Sequence, residues 1–227
     1  MTSERGARRG TFITIEGPEG AGKTTQAERL RDRIAATGRE VVLTREPGGT
    51  PLGEAIRAIL LHPIRGRNHD PRADALLFNA ARAQLVSTVV RPALERGATV
   101  ISTRFADSTL AYQGHGAGLP VDELRAVERA ATGGLRPDRT ILLDLPAETG
   151  LARKGGDELT RFETAFDLDF HRRVRDGFLA LAAAEPDRFV VIDASRSADE
   201  VAADIAARVA AATLPGEPDA PVARIPG

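Results

Sequence analysis

The chain contains no cysteine, which excludes a disulfide framework, a thiol nucleophile and a cysteine metal site. It is also poor in lysine: only Lys23 and Lys154 occur among 31 basic residues. Genome composition or heat adaptation accounts for the bulk of the arginine excess, but a lysine set inside a glycine-rich loop stands out against that background. There is no charge imbalance either. With a formal net charge of -1, any polyanion must be gripped locally, and nucleic acid or an anionic membrane finds no global attraction. Long apolar runs are absent, and residues 1–10 carry Arg5, Arg8 and Arg9 without a following apolar stretch of signal-peptide length. The expectation is a cytoplasmic protein without a membrane or nucleic-acid partner.

What is present is a chain of 227 residues, 42% hydrophobic and 28% charged, enough for one core and one domain. Short β-rich runs alternate with helical patterns, the mark of a parallel sheet covered on both faces. The strands are expected at Phe12–Glu16, Glu40–Thr44, Ala98–Ser102, Arg139–Leu145 and Arg188–Ile192. Thr50 is placed to cap a helix whose first residue is Pro51, with Leu52, Ala55, Ile56, Ile59 and Leu60 at helical spacing and an end near His62-Pro63. A longer helix starts after Asp70-Pro71 and runs to Gly97, bent at Pro92, and is long enough to serve as a dimer surface. A last helix spans about Ala198–Ala212. Residues 1–10 and 214–227 read as disordered segments flanking a domain of 11–213.

The stretch Gly17-x-x-x-x-Gly22-Lys23-Thr24 follows an apolar strand and opens a helix bearing Ala27, Leu30 and Ile34, the setting a phosphate-binding loop requires. Its small residues let backbone N–H groups converge on phosphate oxygens, and the helix N-terminus adds partial positive charge. Lys23 reaches toward the β- and γ-phosphates, and the Thr24 hydroxyl can ligate Mg²⁺. Gly17, Pro18, Glu19, Gly20, Ala21, Gly22, Lys23, Thr24 and Thr25 are therefore the candidate ATP-binding set. An Asn-Lys-x-Asp guanine-reading run is missing, which argues against a GTPase.

Further segments carry a resemblance. They are Ile15–Thr25, Thr44-Arg45-Glu46-Pro47-Gly48-Gly49-Thr50, Phe78-Asn79-Ala80-Ala81-Arg82, Arg104-Phe105-Ala106-Asp107-Ser108, Ala111-Tyr112-Gln113-Gly114, Arg136-Pro137-Asp138, Leu142-Leu143-Asp144, Gly150-Leu151-x-Arg153 and Arg161-Phe162-Glu163. Together they resemble bacterial thymidylate kinases over roughly Gly10 to Ala212. The resemblance implies a P-loop kinase-type three-layer α/β sandwich with a short lid at about 153–161, Mg-ATP as donor and dTMP as acceptor. It also implies a homodimer through the 72–97 helix.

Residue roles follow from the same resemblance. Phe78 would stack on thymine and Arg82, four residues on and on the same helix face, would hydrogen-bond its O4. On spacing alone, Phe78 in the core with Arg82 as a solvated charge serves equally. Arg104, just past a strand end, resembles the arginine that binds the acceptor phosphate. Arg45 sits on a similar ridge, with a surface ion pair to Glu46 as its alternative. Glu19 is assigned to the acceptor 3′-hydroxyl, and Tyr112 to the space beside C2′, core packing being its alternative. Ser108, Thr109 and Gln113 would line the same pocket. Arg153, Lys154 and Arg161 are the lid cations that could meet the transferring phosphoryl group, with Lys23 and Arg104 completing the catalytic set and Gly155-Gly156 the lid tip.

The pattern departs from the family at Thr103 and Thr160, where aspartates are usual. Mg²⁺ would then rest on Thr24, the phosphates and Glu19 or Glu16. The competing readings are a different nucleoside monophosphate kinase or a non-catalytic nucleotide-binding subunit.

Overall fold

Five short β-rich runs become five strands, the three central ones buried almost throughout and the two edge ones only in part, since the centre of a parallel sheet is covered on both faces. They are β1 (Phe12–Glu16), β2 (Val41–Arg45), β3 (Thr99–Thr103), β4 (Arg139–Asp144) and β5 (Phe189–Asp193). The structure, a computed structural model, describes residues 9–62, 69–154, 160–164 and 166–213, without the side chains of 163 and 210–213. The sheet is parallel throughout in the order β2-β3-β1-β4-β5. Each strand lies within one or two residues of its sequence-based bounds.

The helices described are α1 (Lys23–Ala35), α2 (Pro51–Leu61), α3 (Pro71–Leu85), α4 (Arg91–Glu95), α5 (Ala106–Thr109), α6 (Val121–Thr132), α7 (Ala147–Arg153), α8 (Arg161–Thr164), α9 (Leu168–Ala184) and α10 (Ala198–Thr213). One face of the sheet packs α1 and α10 through Ala27, Leu30, Val201 and Ile205. The other packs α9 and the segment after α5 through Leu110, Val174 and Phe178, giving the three expected layers.

Thr50 caps α2 as anticipated, accepting from the Gly53 N–H at 2.9 Å. The helix ends where expected because His62, ahead of a proline, turns to extended backbone at ψ 133°. Its inward face differs, however: Gly53, Ile56 and Leu60 are buried while Leu52 and Ile59 are exposed. Packing of α2 on α3, rather than the count of apolar residues, selects the face.

The long helix is also not uniform. It runs as α3, a π-helical turn at Val86–Val90, then α4. The wide turn precedes Pro92, which has no N–H to donate to the ladder. At the N-terminus, Arg9 and Gly10 of the segment read as disordered are held by Asp138 at 2.9 Å and by the Leu94 carbonyl at 2.8 Å. The remainder of that segment, the 214–227 tail and Gly155-Gly156 lie outside the described residues.

Register decides what gathers at the carboxyl edge. Arg45 pairs with Thr103 and Thr103 with Ile15, so Arg45, Thr103 and the start of the phosphate loop end at one level. Beta-strand carboxyl ends flanking a reversal of strand order form the crevice where open parallel sheets bind ligands.

Candidate active site

The crevice is a cavity of about 500 Å³, a size suited to a small organic ligand. On one side stands the N-terminus of α1. Gly22 precedes it in the left-handed conformation (φ 82°), no side chain caps it, and its first turn has no acidic residue. Its leading N–H groups thus lack intrahelical partners and are available to an anion. Gly20, Gly22, Lys23, Thr24 and Thr25 line the cavity, whereas Ala21 is buried in the core.

Gly17 and Pro18 serve through their carbonyls, which accept from Lys23 Nζ at 3.0 and 2.6 Å. Burial first, and then repulsion from Arg104, push the Lys23 ammonium down to about 7 despite Glu19 and Glu16 nearby. A site that taxes its own cation in this way gains most from a bound polyanion.

The loop is seated by backbone-to-backbone packing on α7. A Cβ added to Gly20 would lie 2.1 Å from the Gly150 carbonyl oxygen, and one on Gly150 would lie 2.2 Å from that of Glu19. The glycine of the Gly150-Leu151-x-Arg153 segment is required by this approach, not by helix formation.

Opposite, Arg45, Arg57 and Arg104 converge on the cavity. Burial and the Arg45 charge lower the Arg57 pKa. Arg45 pairs with Glu54 at 3.0 Å, so the alternative pairing with Glu46 is corrected: Glu46 is buried, and its partner is Arg82 at 2.7 Å. Arg57, anchored to the Pro47 carbonyl at 2.8 Å, is absent from the sequence-derived set. It sits four residues after buried Gly53 and three before buried Leu60, and a charge at the edge of an apolar stripe was the available signal.

Glu19 is the hub between the two sides. Its Oε1 accepts from Arg104 Nη2 at 2.7 Å and from the Tyr112 hydroxyl at 2.8 Å, and its Oε2 lies 3.2 Å from Lys154 Nζ. Burial alone would raise its pKa; Arg104, Lys23 and Lys154 outweigh burial and hold the carboxyl far below the usual carboxylate range. Tyr112 packs in the core, its alternative reading, and also lines the cavity. Its ring packs edge-on against Phe162, Phe170 and Phe178 at 5.7 to 6.2 Å between centroids, while its hydroxyl stays at the cavity wall. Both Tyr112 and Gln113 lie on a π-helical stretch, Leu110–Gly116, that continues α5.

Phe78, Ser108, Thr109 and Gln113 line the cavity together with Phe162. Arg82 does not. It is 1% exposed and donates to Glu46 (2.8 Å), Asn79 (3.0 Å), the Phe105 carbonyl (3.0 Å) and Thr109 (3.1 Å). It is therefore not a solvated charge, and these partners hold it behind the cavity wall formed by Thr109.

Of the lid cations, Arg153 and Lys154 border the cavity, and Arg153 also donates to the Ala194 and Ser195 carbonyls at 2.9 and 3.2 Å. Arg161 is turned away. It is 1% exposed, pairs with Asp74 at 2.5 Å and donates to the Leu60 carbonyl at 3.1 Å. Glu16 is likewise turned inward, its oxygens accepting from Phe105 N–H (2.7 Å) and Ser108 Oγ (2.6 Å), and it is not among the cavity-lining residues. Thr103 and Thr160 both border the cavity.

An uncapped helix N-terminus preceded by a glycine loop, facing a second cationic wall across one cavity on a parallel sheet, defines a P-loop kinase that handles two phosphorylated substrates. The thymidylate kinase family model matches residues 15–205. Thymidylate kinase of Deinococcus radiodurans is 56% identical over 203 residues, covering 88% of this chain and 96% of that protein. Thymidylate kinase of Bifidobacterium longum is 54% identical over 198 residues, covering 86% and 95%. The crystal structure of thymidylate kinase from Ehrlichia chaffeensis superposes with a TM-score of 0.72 at 32% identity, covering 88% of this chain and 99% of that one. The chain belongs to the thymidylate kinase family and is a phosphotransferase.

Proposed function

We propose that the chain transfers the γ-phosphoryl group of ATP to the phosphate of dTMP, giving ADP and dTDP for dTTP synthesis. The observation that carries this reading is the single cavity walled at once by the uncapped start of α1 and by Arg45, Arg57 and Arg104. A monophosphate has a second pKa of about 6, so its oxygen is an anionic nucleophile at neutral pH and needs no general base. The bond from that oxygen to the γ-phosphorus forms as the bond to the bridging oxygen breaks, and ADP leaves with the electron pair. The protein's task is to neutralise two mutually repelling anions and hold them in line.

In this reading the loop from Gly17 to Thr25 cradles the ATP phosphates and Lys23 swings from its carbonyl partners to the β- and γ-phosphates. Arg104, with Arg45 and Arg57, receives the acceptor phosphate. Phe78 stacks on the base, with Thr109 and Gln113 beside it and Arg82 behind. Tyr112 fills the space beside C2′ and Glu19 reaches the 3′-hydroxyl. Arg153 and Lys154 are the lid cations nearest the reacting groups. Arg161 acts as an anchor.

Among the described residues no three acidic or histidine side chains gather as a metal cage. That suits a Mg²⁺ ion arriving on the nucleotide phosphates, with the cavity-lining Thr24 hydroxyl as its protein ligand. Bound there, it neutralises charge on the phosphate oxygens. A homodimer through α3 is supported by Leu76 of α3, 59% exposed, and by Leu52 and Ile59 of the α2 helix packed on it, at 50% and 43%. The reaction draws on intracellular ATP, which sets it in the cytoplasm.

A coupled assay with ATP against dTMP, dUMP, UMP and AMP tests the reading. Preference for dTMP is expected. Preference for UMP or AMP moves the chain to another acceptor class, and tight ATP binding without dTDP formation makes it a nucleotide-binding subunit.

A further inference from the structure

Arg104 is the only non-glycine residue with positive φ among the described residues, at 68°. A side chain in the left-handed region is costly, and such strain persists only where surrounding contacts over-determine it. Here the chain must leave β3 at Thr103 and enter α5 at Ala106 within two residues. Three hydrogen bonds impose the turn. Arg104 N–H donates to the Ile15 carbonyl at 3.0 Å, Ser102 Oγ donates to the Arg104 carbonyl at 2.8 Å, and Phe105 N–H donates to Glu16 Oε1 at 2.7 Å.

The Glu16 carboxylate enters a second time from the side-chain end. Its Oε2 accepts from Ser108 Oγ at 2.6 Å, and the Ser108 hydroxyl oxygen in turn accepts from Arg104 Nη1 at 3.1 Å. One carboxylate thus grips the backbone immediately after Arg104 and, through one hydroxyl, orients its guanidinium. Glu16 is completely buried and touches none of the cavity. Burying a carboxylate is expensive: burial first and Asp107 next push the Glu16 pKa up to about 7, against the opposing pull of Ser108, Arg104 and the Phe105 N–H. A side chain serving only as filler at a strand end would avoid that cost.

We propose that Glu16 is a positioning residue for the acceptor phosphate, locking Arg104 in its left-handed turn and aiming its guanidinium through Ser108. The inference rests on the reading of Arg104 as the acceptor-phosphate ligand. It assigns to the carboxylate ahead of the phosphate loop a role toward the acceptor rather than toward ATP or metal.

The test is steady-state kinetics with dTMP and ATP varied separately, together with equilibrium ATP binding, on wild type, Glu16→Ala, Glu16→Gln and Ser108→Ala. Losing hydrogen bonds that involve a charged group should raise KM for dTMP by about ten- to a hundredfold in Glu16→Ala, with ATP affinity held within about twofold. Glu16→Gln, whose amide oxygen still accepts from Phe105 N–H but whose nitrogen cannot accept from Ser108, should fall between wild type and Glu16→Ala. Ser108→Ala should raise KM for dTMP in the same direction. If Glu16→Ala does not fold, the split between the two substrates in Glu16→Gln carries the test. An unchanged dTMP KM in an active enzyme, or equal losses for both substrates, overturns the inference alone. A wild type that leaves dTMP untouched overturns the function proposed above and this inference with it.

Discussion

Arg161 makes two opposed demands on experiment, because its place in the lid segment suggests chemistry while its contacts describe an anchor. Asp74, 2% exposed, pairs with it at 2.5 Å, and His69 Nδ1 lies 2.8 Å from the other Asp74 oxygen. Replacing Asp74 by alanine leaves a guanidinium buried without its countercharge, and breaking a buried pair from one side costs about 3–5 kcal/mol. For a chain of this size each kcal/mol shifts Tm by roughly 2–4 °C, so Asp74→Ala should melt about 6–20 °C below wild type in a thermal scan. The double variant Asp74→Leu with Arg161→Met removes both charges, and because an apolar replacement of a buried pair is often neutral or better, it should recover most of that loss. Its kcat should stay within about tenfold of wild type, whereas loss of an arginine that stabilises the transferring phosphoryl group costs on the order of 10³-fold or more. A loss under about 2 °C in Asp74→Ala, or a double variant no more stable than Asp74→Ala, would refute the anchor. So would a thousandfold fall in kcat with an unchanged Tm.

Gly150→Ala should weaken ATP binding by at least about tenfold, since its Cβ would meet the Glu19 carbonyl 2.2 Å away and push the phosphate loop outward; calorimetry showing wild-type affinity would contradict the packing. Thr103→Asp should lower the Mg²⁺ concentration needed for half-maximal turnover, and an unchanged titration would mean that position 103 does not face the metal. The depressed Glu19 pKa, set by Arg104, Lys23 and Lys154 against the opposing effect of burial, makes stability present above the ordinary carboxylate range and lost as pH falls through and below it. Urea unfolding between pH 7 and pH 3 should therefore show a shallower pH dependence in Glu19→Gln than in wild type, and identical slopes would remove Glu19 as the acid-sensitive group.

The phosphate loop was legible because its chemistry is local. Consecutive small residues, one lysine and a helix start supply the site from a run of neighbours, and neither Lys23 nor Thr24 depends on a distant segment to be recognised. The central strands were legible for a related reason, since burial on both faces writes itself as a mostly apolar run. Charged residues drawn from distant segments were not. Arg82 meets Glu46 from 36 residues away and Arg161 meets Asp74 from 87 away, and no local pattern tells an arginine aimed at a ligand from one neutralised inside the fold. Arg57 was missed for the converse reason. It lies on an amphipathic helix whose exposed and buried sides were decided by α3.

By itself, then, the sequence determined the nucleotide-binding end of the cavity, the parallel α/β architecture and, through its motif resemblance, the family. Tertiary structure alone decided which arginines face the cavity, where Glu16 and Glu19 point, and that Gly20 and Gly150 must meet backbone to backbone. The physical reason is that a helix N-terminus carries its charge and donors wherever it lies, whereas the role of a long charged side chain depends on which counter-charge packing brings within reach.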